Sequence, residues 1–220
     1  MKNNNLEILY EDNHVIVVFK NENILSQGDS THDKDLLTKI KEYIKIKYQK
    51  PGNVYVGLVH RLDRPVSGVM VYAKTSKAAS RLSEQIRTSK FKKQYLAVVN
   101  GILEEKKGEF RDYLQKLDNG NTIVTDKEHG KESILNYEVL KEINEKSLVK
   151  IDLKTGRHHQ IRVQFSSRGY PLCGDQRYGI QDKKQIALCC YHLAFYHPTT
   201  KEKLIFERMP KDKEIFKEFL

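Results

Sequence analysis

The first apolar runs of the chain are short, rich in β-branched residues and separated by a polar turn, as in a sheet. Residues 6–10 and 14–20 are separated by Glu11-Asp12-Asn13, which predicts strand, tight turn, strand. The second run, His14-Val15-Ile16-Val17-Val18-Phe19-Lys20, is almost continuously apolar, so it is expected near the centre of a sheet with both faces covered. From 35 to about 50 the period changes. Leu36, Leu37, Ile40, Tyr43, Ile44 and Tyr48 recur at helical spacing with lysines opposite, and Pro51-Gly52 ends the pattern. A strand over 55–59 is expected to deliver residues 60–63 onto a loop, and 69–74 to return the chain to the sheet. Thr75-Ser76 predicts the cap of a helix over about 77–88, with Ala79, Leu82 and Ile86 facing inward.

Residues 91–101 read as a further strand, whose alternation sets Tyr95, Ala97 and Val99 on one face. Asp118-Asn119-Gly120 is a hairpin signal within 108–132, a stretch that is otherwise polar, charged and expected to be mobile. Two strands, 133–140 and 147–153, are expected to meet at Ile143-Asn144-Glu145. A helix is predicted from Thr155 or Gly156, with Ile161 and Phe165 inward and Arg162 near their plane. A Gly-rich loop over 169–179, strands near 187–195 and 204–206, and a short helix from about 212 complete the chain. No linker-like composition interrupts it, so one domain over 1–220 is expected.

Charge narrows the class of partner. Lys and Arg number 39 against 29 Asp and Glu, a formal net charge of +10, which suits a polyanion. The three cysteines, Cys173 and the adjacent Cys189-Cys190, have neither disulfide-framework nor metal-site spacing and point to a reducing cytoplasm. The start of the chain has no apolar signal core, and no run is as long as a membrane span, so a soluble protein away from membranes is expected.

Two clusters carry chemistry. The first places Asp63 between Arg61 and Arg64, just before a Pro65-Val66-Ser67-Gly68 turn. Neighbouring guanidinium groups keep a carboxylate ionised, fit to act as nucleophile or base. A surface turn with two solvated arginines is the plainer reading of the same residues. The second cluster is Thr155-Gly156-Arg157-His158-His159-Gln160-Ile161-Arg162-Val163. Read plainly, it is a pair of solvated arginines and a surface histidine pair. No third ligand has recognisable spacing, so no metal is expected.

His60-Arg61-Leu62-Asp63-Arg64-Pro65-Val66-Ser67-Gly68 resembles the catalytic-loop signature of the RluA family of RNA pseudouridine synthases, with Val66 where Thr is common. Lys93 and Tyr95 match a second signature of that family, and His159, Gln160 and Arg162 match a third, with Gln164 where His is common. The segment 169–179 is similar to a fourth. The opening strands also resemble the family's, except that Asn21 follows Lys20 where Pro is usual.

The resemblance implies an α+β fold: a mixed, mainly antiparallel central sheet flanked by helices, with a basic active-site cleft. It implies Asp63 as the catalytic carboxylate acting on ribose, Arg162 as its partner, and Tyr95 stacked on the uracil and taking a proton from it. Arg61 is expected to occupy the space left by a flipped nucleotide, while His60, Arg64, Lys93, Arg157, His159 and Gln160 contact RNA. No cofactor is expected. The partner is structured RNA, ribosomal or transfer, and the chain is expected to be a cytoplasmic monomer without a preceding S4-like module. Two other classes fit less well. A basic RNA-binding or RNA-remodelling protein with minor or lost activity shares the charge, whereas a metal-dependent nuclease needs several converging carboxylates.

Overall fold

The computed structural model describes residues 6–31 and 33–220. The chain forms two compact units, Met1–Lys92 with His192–Arg208, and Lys93–Tyr191 with Met209–Leu220.

The first unit is built on β1 (Glu7–Glu11), β2 (Val15–Lys20) and β4 (Ser67–Ala73), with β3 (Gly57–Leu58) a two-residue partner of β4. All pairings are antiparallel. Asp12 makes the first turn by accepting the amides of His14 and Val15 at 2.7 and 2.8 Å. Every residue of β2 and β4 is buried, as the unbroken apolar run of β2 predicts. Helix α1 (Leu36–Lys47) buries Leu36, Ile40 and Ile44, and Asp35 caps it by accepting the Thr38 amide at 2.9 Å.

One carboxylate ties α1 to the sheet. Glu11 accepts hydrogen bonds from the hydroxyls of Tyr43 and Tyr48 at 2.9 Å each and from Lys47 and Lys74 at 2.7 Å each. Burial opposes its ionisation, but these donors outweigh it and hold its pKa at about 2. Thr75 caps α2 (Ser76–Arg87) as expected, yet its buried face is Ala78 and Leu82 rather than Ala79 and Leu82, and Ile86 is half-buried. The strand expected over 55–59 shrinks to β3, with Tyr55 exposed.

The second unit is an antiparallel sheet in the order β5-β9-β8-β6-β7. Its strands are β5 (Lys92–Asn100), β6 (Lys107–Lys116), β7 (Thr122–Thr125), β8 (Lys131–Ile143) and β9 (Lys146–Leu153). The stretch 108–132, expected to be mobile, is therefore mostly sheet, because Phe110 and Leu114 alternate inward along β6. Asn144 and Glu145 turn β8 into β9 with φ of 49° and 58°, the left-handed pair that a two-residue hairpin requires.

Helix α3 (Gln160–Ser166) starts four or five residues later than predicted. His159, at φ 51°, stands outside the helical region and delays it. Phe165 packs edge-on to Phe110 and Tyr137 at 5.0 and 5.9 Å, which seats α3 on the sheet. Strand β10 (Leu188–Tyr196) starts in this unit and ends in the first, where β11 (Lys203–Glu207) pairs with it from His192 to Tyr196. Helix α4 (Glu214–Lys217) closes the chain and buries Phe216. Strands arranged this way with the four helices among the described residues are α+β, as expected. None of the described helices is long and apolar enough to cross a membrane.

Candidate active site

In the first unit the segment 60–64 hangs from three buried posts. Ser26 donates its hydroxyl to the Leu62 carbonyl at 2.8 Å and accepts the Leu62 amide at 3.1 Å, while the Tyr72 hydroxyl donates to the Ser26 carbonyl at 2.8 Å. His60 accepts the Val71 amide on Nε2 at 3.1 Å and packs edge-on against Phe91 at 5.3 Å. Lys20 is the third. Its fully buried ammonium donates to the carbonyls of Asn21, Ile24 and Arg64 at 3.1, 2.7 and 3.0 Å. An ammonium has three hydrogens, and three carbonyls receive them.

Between these posts Leu62 turns inward, and Asp63 is left half-buried beside the exposed Arg61. Arg64, also exposed, pairs with Asp33 at 2.7 Å. The cation the local sequence does not reveal is Lys20. Burial pushes its pKa down to about 7, and the charge of Asp63 pulls it back up. A lysine closing an apolar strand, where a sheet end meets the motif, was the available signal. Lys20→Met keeps the stem's packing but takes the donor from three part-buried carbonyls, each at up to about 1–3 kcal/mol. We expect this variant to unfold at clearly lower urea than wild type and to lose activity even where folded; equal midpoints would show that the posts at Ser26 and His60 suffice.

In the second unit Arg162 is 5% exposed, not a solvated helix arginine. Its Nε and Nη2 donate to the two oxygens of Asp175 at 2.8 and 2.7 Å, and its guanidinium lies over the Tyr178 ring at 5.1 Å. Asp175 also accepts the amides of Arg177 and Tyr178 at 2.9 and 3.1 Å, so it organises its loop as well as the guanidinium. Burial opposes its ionisation, but Arg162 and the two amides prevail, and its pKa is lowered. The loop depends on Gly174. At φ +70°, a Cβ there would stand 2.2 Å from the Gln185 carbonyl oxygen.

The other matched residues divide. Gln160 is buried and its amide is used internally: Oε1 accepts from Thr155 and the Arg157 amide at 2.8 and 3.0 Å, and Nε2 donates to Gln164 at 3.1 Å. Gln164 in turn donates to Asp112 at 2.7 Å and to the Ser133 carbonyl at 3.1 Å, and Arg168 clamps Asp112 at 2.9 and 3.0 Å. A neutral histidine at 164 has one donor and one acceptor. Gln164 donates twice and accepts once, which this junction of α3, β6 and β8 uses in full.

His158 and His159 stack at 3.7 Å, with His158 Nδ1 bonded to the Thr122 hydroxyl at 2.9 Å and His159 Nδ1 to the Tyr178 hydroxyl at 2.7 Å. The β6–β7 turn is thus latched to the 155–178 region, a role for this hairpin that the sequence did not disclose. Arg157 is exposed and donates to the Glu132 carbonyl at 3.1 Å. Tyr95, 5% exposed, and Lys93 lie on one face of β5. Among the described residues, no group of three or more His, Cys, Asp or Glu is placed to hold a metal ion.

The class of protein follows from the likeness of this sequence to known ones. Residues 14–167 match the family model described as RNA pseudouridylate synthase. A relative from Aquifex aeolicus, an uncharacterised RNA pseudouridine synthase, is 34% identical over 92% of this chain and 68% of its own. Ribosomal large subunit pseudouridine synthase C of Buchnera aphidicola from Acyrthosiphon pisum is 33% identical over 93% of this chain and 67% of its own. The fold is shared with human RNA pseudouridylate synthase domain containing 4, at a TM-score of 0.78 and 21% identity over 92% of this chain and 88% of that one. The chain belongs to the RNA pseudouridylate synthase family. Enzymes of this family isomerise uridine to pseudouridine in RNA, and this chain is such an isomerase.

Proposed function

We propose that the chain, acting over 1–220 as one catalytic domain, modifies uridines of large-subunit ribosomal RNA, with Asp63 as the catalytic carboxylate. The observation that carries Asp63 is its loop: Lys20, Ser26 and His60 fix the backbone on both sides of it while its side chain stays half-buried rather than solvated. Support for the substrate comes from relatives named ribosomal large subunit pseudouridine synthases C and D, 33% and 30% identical over 93% and 96% of this chain.

Isomerisation breaks the bond from ribose to uracil nitrogen, rotates the base and rejoins it through carbon, with no net change in atoms. Asp63 acts on the ribose, as nucleophile at the anomeric carbon or as base at the neighbouring one. Tyr95 stacks on the base and takes its proton, and Arg162, oriented by Asp175, serves the same reaction. Arg61 fills the space of the flipped nucleotide, whose extrusion costs a few kcal/mol. A basic cleft, in keeping with the charge of +10, binds phosphates without reading sequence through residues such as Arg157. The enzyme works in the cytoplasm as a monomer.

Mapping pseudouridine across total RNA, from cells with and without the gene, tests the substrate. We expect one or a few large-subunit sites to vanish. Loss confined to transfer RNA would move the substrate, and an unchanged map would favour an RNA-binding protein with lost activity.

A further inference from the structure

Lys93 is a half-buried cation of the second unit whose ammonium the described contacts leave unused. It is half-buried on β5, yet among the described residues its ammonium has neither a hydrogen-bond acceptor nor a carboxylate partner. The thiol of Cys190, on β10, faces it and also hydrogen-bonds Tyr95. Burial pushes that thiol up to about 12, so it stays neutral and does not cancel the lysine's charge. Burial also lowers the pKa of Lys93, which makes its ammonium a stronger hydrogen-bond donor.

Space is kept for this group. A Cβ at Gly156 would stand 3.1 Å from Lys93 Nζ, so the glycine of the 155–163 cluster leaves room for the ammonium. Lys93 and Tyr95, two residues apart on one strand face, are about 6.6 Å apart along the chain, a span that a pyrimidine stacked on the tyrosine can bridge. Arg162, the other cation expected to assist Tyr95, already has Nε and Nη2 committed to Asp175.

We infer that Lys93 is a catalytic residue whose ammonium meets a carbonyl oxygen of the uracil and stabilises the negative charge the base acquires as its bond to ribose breaks. The inference rests on the proposed role of Tyr95. When that bond breaks, its electron pair passes to the ring nitrogen and spreads onto the two carbonyl oxygens. When carbon rejoins ribose, the pair returns to the new bond. Lys93 neither gains nor loses a proton, and its task is the same whether Asp63 acts as nucleophile or as base. A fixed cation at the site of developing charge lowers the barrier more than it tightens ground-state binding.

The test compares Lys93→Met, Lys93→Arg and Gly156→Ala with wild type on an unmodified large-subunit RNA transcript carrying the mapped site. It measures kcat, KM and RNA affinity, with melting curves for each protein. We expect kcat of Lys93→Met to fall roughly 100-fold, as for removal of an oxyanion donor, while KM and RNA affinity hold. Lys93→Arg should recover part of the loss, and Gly156→Ala should lower kcat by crowding the ammonium. Weakened RNA binding with kcat intact would make Lys93 a phosphate contact and overturn the inference, as would no change in either quantity. Should Lys93→Met melt early, Gly156→Ala at full stability decides, and an unchanged kcat there overturns the inference. Wild type inactive on every cellular RNA would instead remove the reading beneath it.

Discussion

Asp63→Asn protein is expected to bind ribosomal RNA as tightly as wild type and to make essentially no pseudouridine. The substitution is nearly isosteric and leaves Leu62 and Arg64 on their posts at Ser26 and Lys20, so neither loop nor RNA surface should change. What it removes is a negative oxygen able to attack ribose or take its proton. Loss of such a group lowers kcat on the order of 10³-fold or more. Nuclease digestion and mass spectrometry of the treated RNA, beside filter binding, measure both quantities. Product formed at more than a tenth of the wild-type rate would move the catalytic role to another carboxylate.

Asp175→Ala should have the largest effect on stability. Arg162 is almost fully buried, and Asp175 takes two of its nitrogens. Truncation leaves that charge without its main counter-ion and frees the amides of Arg177 and Tyr178 as well. Breaking a buried pair in this way costs about 3–5 kcal/mol. Urea unfolding should show the midpoint falling with little change in slope, and a loss below about 1 kcal/mol would mean that other contacts hold Arg162 in place.

The same carboxylate gives a pH dependence of definite sign. Its folded pKa lies below the ordinary value, so its contribution is complete above the unfolded carboxylate pKa near 4 and is lost as pH falls through the lower folded value. Acid should therefore destabilise wild type more steeply than Asp175→Ala.

Residues whose neighbours in space are also neighbours in sequence were legible. Most of the strands, the cap at Thr75 and the hairpin at Gly120 follow from period and turn chemistry. Family resemblance singled out Asp63, on its loop, Tyr95, on β5, and Arg162, on α3, and 13 residues separate Arg162 from the Asp175 that holds it. What stayed hidden are contacts made by distant chain segments. Lys20 reaches Arg64 across 44 residues, and Gln164 reaches Asp112 across 52. Arg64 looked like a partner for Asp63 because it follows it, whereas its described ion pair is with Asp33. Gln160 is expected at the RNA only through its family signature, and the sequence did not disclose the internal hydrogen bonds its buried amide makes. The late start of α3 escaped because a left-handed histidine is not marked by residue type.

The protein has a built-in chemical clock. Cys173, Cys189 and Cys190 are buried and form no disulfide with one another, and two of them sit on β10. A thiol reagent can react with them only when the surrounding structure opens, so alkylation of Cys189 and Cys190 counts openings around β10 and that of Cys173 openings of the 169–179 loop. Because no other cysteines exist in the chain, modification by mass reads this opening without any engineered label.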